Sequence, residues 1–368
     1  MNQRPGFPNA SIKLFSNIND WQDNKYTDMS MAFITLTMRD TIYGTTEGML
    51  QVYDSGKLHT RLTGNEFIMV NLSNANSNKI QTRIYGIKST SVAVDKKADT
   101  IVSFNLCPWH ESLSVNFSRV FYKDAGDSIK AMISSIYRGV EAISPVLSQT
   151  KTIVPTPVWN WTVSEYMQYS RENAMAVETD DFVFIWEDFY GITIKDFNSI
   201  KKQEPIGYIV GSPDMIGEYS SGKNIVYDFE WLTKNNKTTR DPMKDATIYA
   251  HSLGDNQITR ITEGEGNNII TVSRSGSYSE MTYRNGYEEA DRLFEIAQYD
   301  GYAKCKMYGD FTMRPSTKLQ FTDVKEQYLT SFYVDEVIHE VSNTTSQTTI
   351  YMFTNSLKLN EVDPVKVR

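Results

Sequence analysis

The chain has 368 residues, 40% of them hydrophobic and 12% aromatic, and carries a net charge of −8. That length allows two or three domains with a sizeable core, and the composition is that of a globular chain rather than a disordered one. The acidic balance excludes a bulk basic footprint for nucleic acid, and no apolar run approaches the roughly 18 residues that a membrane span needs.

In chain order, the opening "MNQRPGFPNASIKLF" places proline and polar residues where a signal peptide needs an apolar core, so synthesis and retention in a cytoplasm are expected. Residues 30–107 then read as strands. "MAFITLTM", "GMLQVYDS", "EFIMVNL", "KIQTRIYGI", "TSVAVD" and "TIVSFNL" are short, rich in β-branched and aromatic residues, and cut by Gly, Asn and Asp. Ile101, Ser103 and Asn105 alternate with Val102, Phe104 and Leu106, so one face is buried. About six strands in so short a span predict a small antiparallel barrel or sandwich.

A helix is predicted over Ser128–Val140, capped by Asp127, with Ile129, Met132, Ile133, Ile136, Tyr137 and Val140 on one stripe. A proline-bearing connector runs from Pro145 to Pro157. The pair Thr162 and Glu165 has capping-box spacing and predicts a second helix to about Val177. "DFVFIWEDFYGITI" predicts a hairpin turning near Asp188 to Gly191. Strands resume at "PIGYIVGS" and "NIVYDFEWLT", and Lys234 to Lys244 is polar enough to be exposed loop. A third helix is predicted from about Glu280 to Tyr299, with Gly301 as its stop. Strand character continues from Gly301 to Leu359.

The two β regions carry a repeat. "TRIYGIKSTSVAVDKKADTIVSFN" (82–105) aligns without a gap on "SFYVDEVIHEVSNTTSQTTIYMFT" (331–354), at an offset of 249 residues. This places Val92 on Val341, Ile101 on Ile350 and Phe104 on Phe353. "NIVYDFEWLT" then matches "MAFITLTM", and "AKCKMYGDF" matches "GMLQVYDS". Residues 234–300 become an insertion in a barrel loop, which is thermodynamically cheap. The expected fold class is mainly β with an α+β part: two homologous antiparallel β-barrels plus a mixed α/β middle domain. The expected domains are 1–111 (first barrel), 112–203 plus 234–300 (middle domain), 204–233 plus 301–360 (second barrel) and 361–368 (C-terminal tail).

Chemical motifs are sparse. His339-Glu340 would open an H-E-x-x-H zinc site, but Asn343 stands where the second histidine belongs, and the flanks favour a strand. No metal is expected. Glu187-Asp188 beside Trp186, and Asp228 with Glu230 beside Trp231, could suggest a glycosidase pair. Such carboxylates must face one another across a sugar, and i, i+2 neighbours on one strand do not. "GEGNN" (264–268) lacks the lysine and helix of a phosphate loop, and "SRSGSYSE" is no G-x-S-x-G elbow. His59, His110, His251 and His339 each stand alone. Cys107 and Cys305 are too few for a disulfide framework and are expected to be reduced and buried. No catalytic, cofactor-binding or metal-binding residue is assigned.

The blocks "QRPGFPNASIKLF", "TLTMRDTIYGTTEGMLQVYDS", "TRIYGIKS", "RDPMKDATIYAHS", "VSRSGSYSEMTYRNGYEEADRLFEIAQYDGYAKC", "FYVDEVIHE" and "YMFTNSLKLNEVDPVKV" resemble the central baseplate hub protein of contractile-tailed bacteriophages. The likeness runs over nearly the whole chain. It implies tail-tube-like barrels and a homotrimeric ring. In that family the ring holds the trimeric cell-puncturing spike with its tail lysozyme on one side and meets the tail tube or its initiator proteins on the other. Baseplate wedge proteins are further candidate partners, and DNA is met only in transit. The resemblance implies no enzymatic activity and a place in the virion tail baseplate, assembled in the host cytoplasm. A trimer with two like barrels per chain would present six like units and so fit both symmetries. Two other classes compete: the hub of a related contractile secretion or ejection machine, and a baseplate-carried cell-wall hydrolase. If the ring encloses a DNA channel, its wall is expected to be richer in Asp and Glu than in Lys and Arg, since basic walls would hold the phosphates.

Overall fold

The computed structural model describes residues 8–54, 56–74, 79–96, 99–113, 115–121, 124–136, 150, 156–178, 181–211, 224–233, 247–252, 257–262, 269–274, 295, 299, 301–322 and 328–355. The predicted third helix lies outside the described residues except for Glu295 and Tyr299, as do the loop 234–244, "GEGNN" and the C-terminal tail.

The chain opens with β1 (Pro8–Phe15), α1 (Ile18–Gln22) and β2 (Thr27–Asp28), which the sequence reading did not mark as strands or helix. Then come β3 (Phe33–Thr41), β4 (Glu47–Tyr53), β5 (Phe67–Asn74), β6 (Gln81–Val94) and β7 (Thr100–Pro108). The inward residues alternate as expected: Leu36, Met38 and Asp40 on β3, and Val102, Phe104 and Leu106 on β7. "KIQTRIYGI" and "TSVAVD", read as two strands, are one strand of 14 residues, β6, with a bulge between Ile87 and Ser89. The bulge absorbs the break in alternation without ending the ladder.

Next are α2 (Trp109–Ser112), β8 (Phe117–Phe121), α3 (Ala125–Ile136), β9 (Thr156–Trp161), α4 (Val163–Asn173), β10 (Val183–Asp188), β11 (Gly191–Asp196) and α5 (Phe197–Lys201). Asp127 lies inside the first turn of α3 rather than capping it; its own N–H donates to Asp124 Oδ1 at 3.1 Å. At α4 both halves of the predicted capping box form: Glu165 N–H to Thr162 Oγ1 at 3.2 Å and Thr162 N–H to Glu165 Oε2 at 2.7 Å. Thr162→Ala is expected to cost about 1 kcal/mol, read as a fall in Tm of about 2 °C. An unchanged Tm would mean that the cap is idle. β10 and β11 form the predicted hairpin, turning at Phe189 and Tyr190.

The last part holds β12 (Ile206–Val210), β13 (Asn224–Val226), β14 (Asp228–Thr233), β15 (Thr247–Ser252), β16 (Gln257–Thr262), β17 (Ile269–Arg274), β18 (Gly301–Tyr308), β19 (Lys318–Thr322), β20 (Tyr328–Ser342) and β21 (Ser346–Thr354). β15, β16 and β17 form a separate three-stranded sheet in the stretch between β14 and β18, which pair with each other.

Among the described residues fourteen strands join in one sheet, which divides into two ladders of the same order. The first runs β3–β4–β7–β6–β5–β1 and the second β14–β18–β21–β20–β19–β12. Every pairing is antiparallel except that β12 lies parallel to β19 and to β13. The ladders meet edge to edge where β20 pairs with β3, from Glu336 opposite Thr41 to Ser342 opposite Thr35.

The bulges show the true register of the repeat. β6 bulges between Ile87 and Ser89, and β20 between Val334 and Glu336. From bulge to turn each hairpin has six pairs: Ser89–Asn105 to Val94–Thr100, and Glu336–Tyr351 to Val341–Ser346. Phe104, opposite Thr90, therefore corresponds to Ile350, opposite Val337. Ile101 corresponds to Gln347. The gapless alignment that put Ile101 on Ile350 is corrected. It was wrong by two residues between β6 and β20 and by three between β7 and β21, and the odd slip on the second strand exchanges its two faces. Ile101 is half-buried, whereas Ile350 is fully buried.

Each ladder curls around its own core. Leu36, Leu50, Val70, Tyr85 and Phe104 fill the first, and Cys305, Phe321, Phe332, Ile350 and Met352 the second. α3, α4 and the β10–β11 hairpin pack on the first ladder through Phe15, Phe67 and Trp109. Trp186, Phe184 and Phe197 reach Ile42 of the first ladder and Tyr333 of the second. Each such ring, fully buried, contributes about 1.5–3 kcal/mol. Both cysteines are free and buried, and burial pushes the Cys107 thiol up to about 12.

Candidate functional site, a buried charge seam

The seam between the ladders gathers most of the buried charge. On β3 the inward series Leu36, Met38 ends in Asp40; on β6 the inward series Gln81, Arg83, Tyr85 places a guanidinium among apolar neighbours. A charge at an inward position needs a partner, and Arg83 Nη1 donates to Asp40 Oδ1 at 2.7 Å. Burial pushes the Asp40 carboxyl up to about 6, against the downward pull of Arg83. Arg83 also stands over the rings of Tyr85 and Phe189, at 5.3 and 5.6 Å.

The β10–β11 hairpin supplies two more carboxylates. Asp188 accepts from Trp186 Nε1 at 2.9 Å and from Arg314 Nε and Nη2 at 2.8 and 3.3 Å. Arg314, which follows β18, also donates to Thr193 Oγ1 at 2.9 Å and stacks over Tyr190 at 4.2 Å. Glu187 meets His110 Nε2 at 3.2 Å. Burial works to raise the Glu187 carboxyl, but His110 and Arg83 outweigh it and hold it below the ordinary range. Arg83, Trp109, Glu187, Asp188 and Phe189 line a cavity of about 220 Å³.

The structure agrees with the sequence reading that Glu187 and Asp188 do not face one another as a hydrolytic pair. Glu187 and Asp188 are consecutive on a strand, are both buried, and are engaged by different partners, His110 and Arg314. Asp228 pairs with Lys306 at 3.2 Å, and Glu230 is exposed on the same strand. His339 and Glu340 lie on β20, a strand, on opposite faces. His339 is buried, with Nδ1 at 3.0 Å from Thr348 Oγ1, and Glu340 is exposed and accepts from Gln347 Nε2 at 3.1 Å. Asn343 Nδ2 donates to the Phe33 carbonyl at 2.8 Å. His59 meets Asp54 at 2.6 Å, and His251 lies on β15 opposite Ile258. Among the described residues no three His, Cys, Asp or Glu side chains gather as a metal site. Sequence reasoning did not single out Asp40, Arg83 or Arg314. The available signal was a charge at an inward position of an alternating strand.

The geometry on the page is thus a duplicated β ladder with buried charges at its seam, in which both hairpin carboxylates are engaged. Residues 3–197 match the family described as "Baseplate structural protein, domain 1", and residues 200–368 match "Baseplate structural protein, domain 2". The chain belongs to this baseplate structural protein family. In fold it is similar to a tail protein from Neisseria meningitidis MC58, with TM-score 0.55 and 10% identity, covering 94% of this chain and 96% of that one. It is also similar to the 43 kDa tail protein of prophage MuSo2 from Shewanella oneidensis, with TM-score 0.54, 7% identity and coverage of 94% and 97%. An E. coli component of the type VI secretion system, itself described as similar to T4 bacteriophage tail proteins gp27 and gp5, gives TM-score 0.50 and 7% identity, with coverage of 88% and 74%. No curated protein matches the sequence significantly.

Proposed function

We propose that the chain is the hub of a contractile-tail baseplate, a homotrimeric ring that joins a threefold spike to a sixfold tube and gives passage to DNA. The observation that carries this is the duplication. One chain holds two ladders of the same strand order, so three chains present six like edges while keeping three of every other surface. In this reading 1–111 and 204–233 plus 301–360 are the two tube-like units, and 112–203 plus 234–300 form the middle domain. The partners are the cell-puncturing spike with its tail lysozyme, the tube or its initiator, and wedge proteins. Assembly takes place in the host cytoplasm, and no catalytic residue is assigned.

The test is mass in solution. The chain alone, and more firmly with the spike, is expected to sediment as three copies of 42.1 kDa, with contacts above about 1,000 Å² each. Monomer only, at micromolar concentration with spike present, overturns the reading. A second reading, the hub of a related secretion machine, is supported by the fold likeness to the E. coli component of the type VI secretion system. A phage spike that binds the trimer, or a secretion spike that does so instead, separates the two.

A further inference from the structure

One short loop, between β18 and β19, belongs to three parts of the molecule at once. Its backbone is fastened to the second ladder. Gly309 N–H donates to the Ser346 carbonyl at 3.0 Å, and Ser316 N–H to the Val334 carbonyl at 2.8 Å. Val334 N–H returns a bond to the Thr317 carbonyl at 2.9 Å, and Asp310 N–H donates to Thr348 Oγ1 at 2.9 Å. From this mount the side chains go three ways. Met313 is buried in the core of the second ladder and Phe311 in the core of the first. Arg314 reaches the β10–β11 hairpin, where it grips Asp188 with Nε and Nη2 and donates to Thr193 Oγ1.

The hairpin is in turn fastened to the first ladder. Glu187 N–H donates to the Gly44 carbonyl, just past β3, and Gln81 Nε2 of β6 donates to the Tyr190 hydroxyl, both at 3.3 Å. Tyr43 meets Phe184 edge-on at 5.6 Å. Arg314 therefore completes a bridge from the second ladder through the hairpin to the first. Such a bridge adds what the β20–β3 joint does not supply. Neighbouring strands twist relative to one another by roughly −10 to −35°, a spread of about 25°. Six like units in a ring need one sixth of a full turn, about 60°, from each to the next. Strand pairing alone thus leaves the angle between the ladders loose by nearly half of the turn required. The corresponding loop of the first ladder, between β4 and β5, packs Leu58 and Leu62 onto its own core and holds Asp54 with its own His59.

We propose that Arg314 is the pin that fixes the angle between the two ladders, and that the chain closes a ring only with the pin in place. The second half rests on the ring reading above; the first half does not. The chemistry suits a pin. The guanidinium fork holds a carboxylate by two N–H bonds in one plane, and the bond to Thr193 fixes a further direction. Tyr190 backs the guanidinium at 4.2 Å. Asp188 is itself held by Trp186 Nε1 at 2.9 Å and by the Tyr190 N–H at 2.8 Å, so the carboxylate does not swing with the arginine.

Lys88→Cys on β6 and Ile206→Cys on β12 place one exposed thiol on each ladder, while Cys107 and Cys305 are buried and do not take a label. Nitroxides at the two sites, in the full chain diluted with unlabelled chain, report the distance between ladders within one chain by pulsed electron resonance. The test variant is Arg314→Met with Asp188→Asn, which removes both charges so that neither is buried alone. Its distance distribution is expected to be at least twice as wide as that of the wild type. Sedimentation is expected to show the trimer weakened at least tenfold. A distribution of wild-type width overturns the proposal. A widened distribution with the trimer unweakened overturns the link to the ring. Monomer in the wild type as well, with widening in the variant, overturns the ring reading and leaves the pin standing. Should near-UV circular dichroism show the double variant unfolded, Arg314→Lys decides. It keeps a cation beside Asp188 and loses the fork and the stacking on Tyr190. Widening then supports the pin, and wild-type width overturns it.

Discussion

Arg83→Met is expected to destabilise the chain by about 3–5 kcal/mol, the cost of leaving one member of a buried ion pair without its partner. The side chains of Arg83 and Asp40 are 4% and 1% exposed, so water cannot take over the role of the missing cation. The loss is not the net worth of the pair, since both groups were desolvated to form it. For that reason Asp40→Leu with Arg83→Met is expected to recover most of the stability, because apolar residues of similar volume commonly replace a buried pair at little cost. Urea unfolding of the two single variants and the double measures this as a coupling energy. A double variant as unstable as the sum of the singles would show that the pair does not act as a unit. A cost below about 1 kcal/mol for Arg83→Met would show that the seam is open to water.

Local signals were legible in the sequence, and non-local ones were not. Thr162 with Glu165 announced α4 because a capping box is completed within four residues. "DFVFIWEDFYGITI" announced its hairpin because two apolar runs flank a short turn. "TIVSFNL" announced its buried face by alternation alone. The two-ladder plan was also legible, but its register was not. Chance identities such as Ile101 with Ile350 outweighed a bulge that only cross-strand pairing reveals. β12 was marked as strand, yet its parallel pairing with β19 depends on residues more than a hundred positions away.

The carboxylates of the hairpin were visible as types and illegible as roles. Glu187 and Asp188 look alike in sequence beside Trp186. Their functions are set by His110, 77 positions earlier, and by Arg314, 126 positions later. Divergence of the repeat was hidden for the same reason. Val92 and His339 occupy one position in two copies. One faces solvent in the single chain, whereas the other is closed over by β3. Duplication supplied two equal edges, and among the described residues the fold covers one of them.

The histidine so enclosed is expected to make the protein sensitive to acid. Burial, with Arg83 adding to it, lowers the His339 imidazole to about 3. Nδ1 is used by Thr348, the rings of Phe189 and Phe311 stand at 6.0 and 5.5 Å, and among the described residues Nε2 has no hydrogen-bond partner. The folded pKa lies below the unfolded one, so between pH 3 and about 6.5 the unfolded chain binds the extra proton. The stability this neutral histidine contributes is therefore complete above about pH 6.5 and is lost as pH falls towards 3. At about 1.4 kcal/mol per pH unit, going from pH 7 to pH 5 removes about 2 kcal/mol through this group. His339→Gln keeps a partner for Thr348 and cannot titrate. Whatever the substitution costs at pH 7, the variant is expected to lose about 2 kcal/mol less than wild type between pH 7 and pH 5 in urea unfolding followed by tryptophan fluorescence. Equal losses in the two proteins would mean that His339 is protonated in the fold without penalty, and that the seam around it is solvated.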